Sequence, residues 1–194
     1  MKIRLAVGGA AGGAILALAS FAAAAVINGT GGNDTLSGTR AADVMNGLAG
    51  NDAILGLGGG DILLGGNGND LARGGAGADT VWGNAGNDRL HGGDGSDIVR
   101  GRSGNDYVFG GEGNDRLFGG FGADNLYGGP GDDRLHAVAR DHQLDKLDCG
   151  AGNDVAVTRA GEPVQVANCE QVQVAPDATT STNEPGETDS SEGP

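Results

Sequence analysis

Twelve aspartates recur every nine residues without a slip: Asp34, Asp43, Asp52, Asp61, Asp70, Asp79, Asp88, Asp97, Asp106, Asp115, Asp124 and Asp133. Carboxylates are hard oxygen ligands, and no paired His or Cys accompanies them, so the chemistry this spacing suits is capture of a hard divalent cation. Five residues before each aspartate stands a glycine, from Gly29 to Gly128. Two residues after each stands an apolar side chain, from Leu36 and Met45 to Leu126 and Leu135. Three columns locked to one period divide residues 29–136 into twelve units, GTGGNDTLS first and GGPGDDRLH last, with no insertion or deletion between them.

The elements that position these carboxylates follow from the same period. Each unit is expected to form a six-residue glycine-rich turn and a three-residue strand whose middle side chain, at position eight, points inward. Glycines at positions one and four are expected to supply backbone angles closed to other residues. Two units make a coil of about 18 residues, so successive units alternate between two facing sheets and the aspartates form two files of six at a strand spacing of about 4.8 Å. Neighbours in a file repel by about 1 kcal/mol even at the dielectric of water, and by more in a partly desolvated groove. The bland alternative is a hydrogen-bonded solenoid whose aspartates are merely solvated. A divalent cation removes the repulsion directly.

The unit resembles the RTX repeat, GGxGxDxUx with U a large apolar residue, over more than half of the chain. The resemblance implies an all-β fold, a right-handed parallel β-roll (a β-solenoid) that binds calcium, closed here by a C-terminal β cap. In that family each ion lies between neighbouring turns of one edge, held by position-six aspartates and turn carbonyls, so the twelve aspartates above and Asp154 are the implied metal ligands. Six turns per edge leave five gaps, which puts the upper count at about ten calcium ions. Calcium accepts six to eight such oxygens in flexible geometry, whereas magnesium demands a tighter octahedron. Unit two has Ala41 at position four, with Arg40 beside it, and its site is expected to be the weakest.

Four segments are expected. Residues 1–25 carry Lys2 and Arg4, an apolar run and Ala23-Ala24-Ala25, and read as a cleaved secretory signal peptide; an uncleaved membrane anchor is the alternative. Residues 26–136 form the roll, and 137–175 a set of degenerate repeats and a cap. There a three-residue insertion, 137–139, restores the register with Asp145 and Asp154 at position six, and Val164, Val166, Val172 and Val174 alternate as in one or two final strands. Residues 176–194 contain only small, polar, proline and acidic residues apart from Ala178, and read as a disordered acidic tail. Cys149 and Cys169 enclose a loop of about 20 residues, a disulfide if the chain is exported and two free thiols if it is not.

The formal charge of −14 disfavours nucleic acid or an anionic membrane as partner and favours cations, and no membrane insertion is expected once the leader is removed. No nucleophile motif, paired-histidine metal motif or phosphate loop followed by Lys appears, so no catalytic residue and no enzyme activity are expected. His91 and His136 fall at position nine and are expected to face solvent. The expected function is that of a secreted calcium-binding repeat protein, extracellular or at the cell surface, which folds on extracellular calcium as a structural, adhesive or ion-binding module. An accessory or divergent secreted hydrolase is the alternative. Outward residues of the even-numbered units place Val44, Ile62, Leu64, Trp82 and Ile98 toward one end of a face, and Arg100, Arg116, Arg134 and His136 toward the other. That face is either scattered exposed surface or a docking surface for a protein or cell-envelope partner or an anionic glycan.

Overall fold

A computed structural model describes residues 3–6, 15–17 and 23–175, the first two segments by backbone alone. The rest of the expected signal peptide, 1–2, 7–14 and 18–22, and the expected acidic tail, 176–194, lie outside the described residues. The chain winds as a parallel β-solenoid with two sheets, and the described residues contain no helix. Numbered in chain order, one sheet (sheet A) contains β1 (Ile3–Ala6), β3 (Ala25–Asn28), β5 (Val44–Ala49), β7 (Ile62–Asn67), β9 (Thr80–Ala85), β11 (Ile98–Ser103), β13 (Arg116–Phe121), β15 (Arg134–Ala137), β17 (Val155–Arg159) and β19 (Gln171–Ala175). The facing sheet (sheet B) contains β2 (Ile15–Ala17), β4 (Thr35–Ser37), β6 (Ala53–Gly58), β8 (Leu71–Ala76), β10 (Arg89–Asp94), β12 (Tyr107–Glu112), β14 (Asn125–Pro130), β16 (Asp145–Ala151) and β18 (Val164–Ala167).

Within the repeats every strand pairs in parallel with the strand one coil away, at a register of 18 residues: Val81 opposite Val99, Leu90 opposite Val108. A spacing of two nine-residue units returns each side chain to the same face, so the inward column never slips. Position eight is accordingly buried in every unit, and the file from Leu36 to Leu135 continues through Leu147 and Ala156. The insertion at 137–139 lengthens the register to 21 residues, as in Leu126 opposite Leu147 and Leu135 opposite Ala156, without breaking either sheet.

Two local expectations need correction. Strands in the middle of the roll are six residues long, not three, and run through positions seven to nine and on into positions one to three of the next unit. Only positions four to six form the turn. Glycine at positions one and two gives little outward sign of a strand, yet its backbone still joins the ladder, because the neighbouring coil offers partners on both sides. Position one is also glycine for a different reason from the one expected. Its φ lies outside the left-handed region, which is used instead at position four (Gly50, φ 111°; Gly104, φ 123°) and at position two (Gly66, φ 119°). Leu48, Leu57, Asn84 and Arg102 hold position two at φ between 80° and 85°, a conformation that side chains resist.

At the C-terminal end β18 and β19 complete one more coil, and a disulfide joins Cys149 of β16 to Cys169, with Cα atoms 5.1 Å apart. Val164 and Val166 pack against the core, but Val172 and Val174 stay 53% and 59% exposed. The last coil is therefore clipped by the disulfide rather than covered.

Candidate metal centre

The position-six aspartates lie at the ends of the turns with their carboxylates directed into the roll, and all twelve are buried, as are Asp145 and Asp154 of the degenerate units. A buried carboxylate must find donors. From Asp52 onward Oδ1 accepts a hydrogen bond from the backbone N–H of the aspartate one coil earlier: Asp52 from Asp34 at 2.7 Å, Asp88 from Asp70 at 2.8 Å, Asp124 from Asp106 at 2.8 Å; Asp43 Oδ1 accepts instead from the Ala25 N–H at 2.6 Å. Asp145 and Asp154 accept from Asp124 and Asp133 in the same way, at 2.9 and 2.7 Å. The two files are thus continuous ladders of carboxylates, one on each edge.

Oδ2 has a different fate. In Asp52, Asp61, Asp70, Asp79, Asp88, Asp97, Asp106, Asp115, Asp124, Asp133 and Asp154 it is buried with no hydrogen-bond partner. In all of these but Asp154, whose unit begins with Cys149, it points at the position-one glycine of its own unit, where a methyl group would be driven into it: at Gly101 an added Cβ would collide with Asp106 Oδ2 and lie 2.6 Å from the Gly119 carbonyl oxygen. Position one is glycine because a carboxylate oxygen and a backbone carbonyl converge on the space a side chain would fill. Carbonyls at positions two and four also face the next turn on the same edge, Leu48 O toward Gly66 and Gly50 O toward Gly68.

Burial is the main electrostatic force on these groups. It pushes the carboxyls of Asp88 and Asp124 up to about 8 and those of Asp61, Asp106 and Asp115 up to about 7, against partial relief from the backbone N–H bonds, with the flanking aspartates of the file adding to the rise in all but Asp106. Asp97, Asp133 and Asp145 rise to about 6, and Asp52, Asp70, Asp79 and Asp154 shift in the same direction, each chiefly by desolvation. A file of carboxylates with one unmet oxygen apiece is short of positive charge.

The donor set fits calcium. Among the described residues no three His, Cys, Asp or Glu side chains converge on one point. An ion between two turns would therefore take most of its oxygens from backbone carbonyls and the remainder from the Oδ2 atoms, a hard and flexible set.

The ends of the files differ from the middle. In units one and two the turn is built around threonine: Asp43 Oδ2 accepts from the Thr39 N–H at 2.6 Å and Asp34 Oδ2 from the Thr30 N–H at 2.5 Å, with both hydroxyls alongside. Asp34 and Asp43 belong to the files but spend their second oxygen internally. Sequence reading singled out unit two for Ala41 and missed that Thr30 and Thr39 give both first units the same closed turn. At the other end Glu170 Oε2 accepts from the Asp154 N–H at 2.8 Å, standing where the next aspartate would. Asp141 Oδ2 likewise accepts from the Gly122 N–H at 2.5 Å. Neither residue is in register, so the period could not reveal them. The exposed position-five asparagines add a ladder of their own, Asn33 Oδ1 accepting from the Asn51 N–H, Asn51 from Asn69, Asn69 from Asn87 and Asn87 from Asn105, which ties successive turns of that edge together.

The histidines take no part in these files. His91 stacks on Phe109 with ring centroids 5.9 Å apart, and His142 lies 3.3 Å from Glu162. His136 does not face solvent freely: it stacks on Phe118 at 4.4 Å, and burial together with Arg134, Arg116 and Arg100 depresses its pKa to about 4.

Comparison with known proteins agrees with this geometry. The family model for the RTX calcium-binding nonapeptide repeat matches residues 28–63, 64–99 and 100–135, together more than half of the chain. No curated protein sequence matches it.

Proposed function

The chain belongs to the RTX calcium-binding nonapeptide repeat family, and from that premise we propose that it is a secreted module whose folding is coupled to extracellular calcium. The observation that carries this reading is the pair of carboxylate files with eleven buried oxygens left without a partner. Leaving a buried acceptor unmet costs about 1–3 kcal/mol, more when it is charged, so a roll bearing this many is poorly stable without cations. Bound calcium supplies positive charge and accepts those lone pairs. Asp52, Asp61, Asp70, Asp79, Asp88, Asp97, Asp106, Asp115, Asp124, Asp133 and Asp154 would hold it together with the carbonyls of positions two and four. Asp34 and Asp43 stand at the closed end.

Within such a module the ion is structural. Residues 1–25 act as a leader for export, the low-calcium interior keeps the chain unfolded, and millimolar calcium outside drives it into a rod. The disulfide between Cys149 and Cys169 suits an oxidising compartment. We assign no catalytic step. His91 and His136 lie on opposite outer faces and His142 in the cap, so they do not form one constellation. The role is structural, adhesive or ion-binding, with a cell-envelope or protein partner.

Far-ultraviolet circular dichroism of residues 26–194 during a calcium titration, with magnesium as control, tests the reading. Calcium alone is expected to convert a disordered spectrum to a β spectrum. A chain already folded without calcium, and indifferent to it, would overturn the proposal.

A further inference from the structure

The charge of this chain is segregated by face. Although its net charge is −14, no strand of sheet A contains an Asp or Glu, whereas sheet B carries Asp94, Glu112, Asp145 and Asp148. The carboxylates lie in the turns along the edges and in sheet B. On sheet A the strands β11 to β15 instead present Arg100, Arg102, Arg116 and Arg134, among the rings of Trp82, Phe118 and His136.

Three of the four guanidinium groups lie over these rings. The Arg102 guanidinium lies 4.7 Å from the centroid of Trp82, that of Arg100 4.5 Å from Phe118 and that of Arg116 5.7 Å from Phe118. A guanidinium over a ring engages the ring through its face and keeps the N–H donors at its edge, which suit oxyanions. Among the described residues no carboxylate lies within salt-bridge distance of Arg102, Arg116 or Arg134; Arg134 donates only to Gln173 Oε1, at 3.3 Å. Trp82 Nε1 and Arg102 Nε are buried without a partner.

We propose that the outer face of sheet A between Trp82 and His136 is a docking surface for a linear acidic polysaccharide. The proposal rests on the calcium-folded module above and names its partner. Three features select the occupant. Charge complementarity demands an anion. The cationic groups are laid out along the rod on successive strands, about 4.8 Å per step, so they match a polymer with regularly spaced acids rather than one small ion. The strip is also flanked on both edges by aspartate-bearing turns, and a six-residue strand spans only about 20 Å, so a nucleic acid duplex or an anionic bilayer laid on it would meet those carboxylates as well.

The sole tryptophan of the chain, Trp82, lies on this face and serves as the reporter. The calcium-loaded full chain is titrated with size-fractionated chondroitin sulfate while Trp82 emission is followed, with neutral dextran, a short DNA duplex and anionic phospholipid vesicles as the other arms. The test variant combines Arg102→Gly, Arg116→Asn and Arg134→Thr, residues that other units already carry at those positions. Arg73→Ala with Arg89→Ala on sheet B is the control. Saturable binding of the polysaccharide is expected, weakening with salt, with a loss of tenfold or more in the triple variant and little change in the control. Absence of polysaccharide binding, tighter binding to duplex or vesicles, or equal losses in both variants would overturn the proposal. Circular dichroism of the same samples reports the roll separately, so a failure to fold on calcium and a failure to dock give different signatures.

Discussion

At the scale of single residues, the repeat is governed by where oxygen atoms can go. The position-one glycines look interchangeable with any turn glycine in sequence, yet each leaves room for a carboxylate oxygen and a carbonyl. Gly101→Ala drives a methyl group toward Asp106 Oδ2 and Gly119 O, an overpacking that costs about 1–3 kcal/mol. Spread over about ten ions that bind with folding, it is expected to raise the calcium midpoint of folding by up to about twofold. Gly31→Ala, which meets nothing within 4 Å, should leave it unchanged, and parallel titrations by circular dichroism compare the two. The files make a second prediction. Asp88→Asn, which alters an unpartnered Oδ2, is expected to lower the number of bound calcium ions measured by equilibrium dialysis. Asp43→Asn, whose Oδ2 already accepts from Thr39, should lower stability but leave the ion count unaltered.

At the scale of elements, strand and turn carry opposite stresses. Leu57 holds φ at 80° in a position that most later units fill with glycine, and it is 52% exposed, so little packing is lost with its side chain. Relief of left-handed strain, about 1–2 kcal/mol, outweighs the added chain entropy of glycine, about 0.5–1 kcal/mol. Leu57→Gly is therefore expected to raise the thermal midpoint of the calcium-loaded roll slightly, by calorimetry. The cap depends on its covalent clip. Replacing Cys149 and Cys169 by Ala and Ser removes a cross-link of sequence separation 20, worth roughly 3 kcal/mol. Hydrogen exchange should then show β16 to β19 opening before the repeats, because a stacked array loses its ends first.

At the scale of the whole molecule, the buried files couple folding to both protons and calcium. Folded carboxyls raised to about 6 to 8 stay neutral where the unfolded chain, with ordinary values near 4, has already ionised. The metal-free roll accordingly binds more protons than the unfolded chain between about pH 4 and 8, and its stability falls as pH rises through that window. Without calcium, β-structure measured by circular dichroism is expected to be greatest near pH 4 and to be lost toward pH 8. Calcium affinity should run the other way, strengthening from pH 6 to 8, since fewer protons then compete for the same oxygens. Calorimetry in buffers of different ionisation enthalpy would count the protons released. Titration curves without this opposition would mean that the carboxylate files are not where calcium acts.

The nine-residue period by itself determined the 18-residue register, the buried position-eight column and the restart of the register after residues 137–139, and the resemblance to the RTX repeat supplied the parallel roll. The first three are a matter of counting: only a spacing of two units returns every side chain to the face it came from. The family membership and the aspartate files were legible for the same reason. Tertiary structure alone decided how each carboxylate is used. The second oxygen of Asp88 is left unmet while that of Asp43 is satisfied, a difference that depends on turn conformation around Thr39. Glu170 and Asp141 complete the pattern from outside the register, because folding, not spacing, brings them to the turns. Strand length was underread because glycine carries no side-chain signal for a strand, and its backbone finds a ladder only once neighbouring coils are in place. The basic end of the even-numbered face was legible from the alternation of units, but only folding brought Arg102 onto it and laid the arginines over the rings of Trp82 and Phe118.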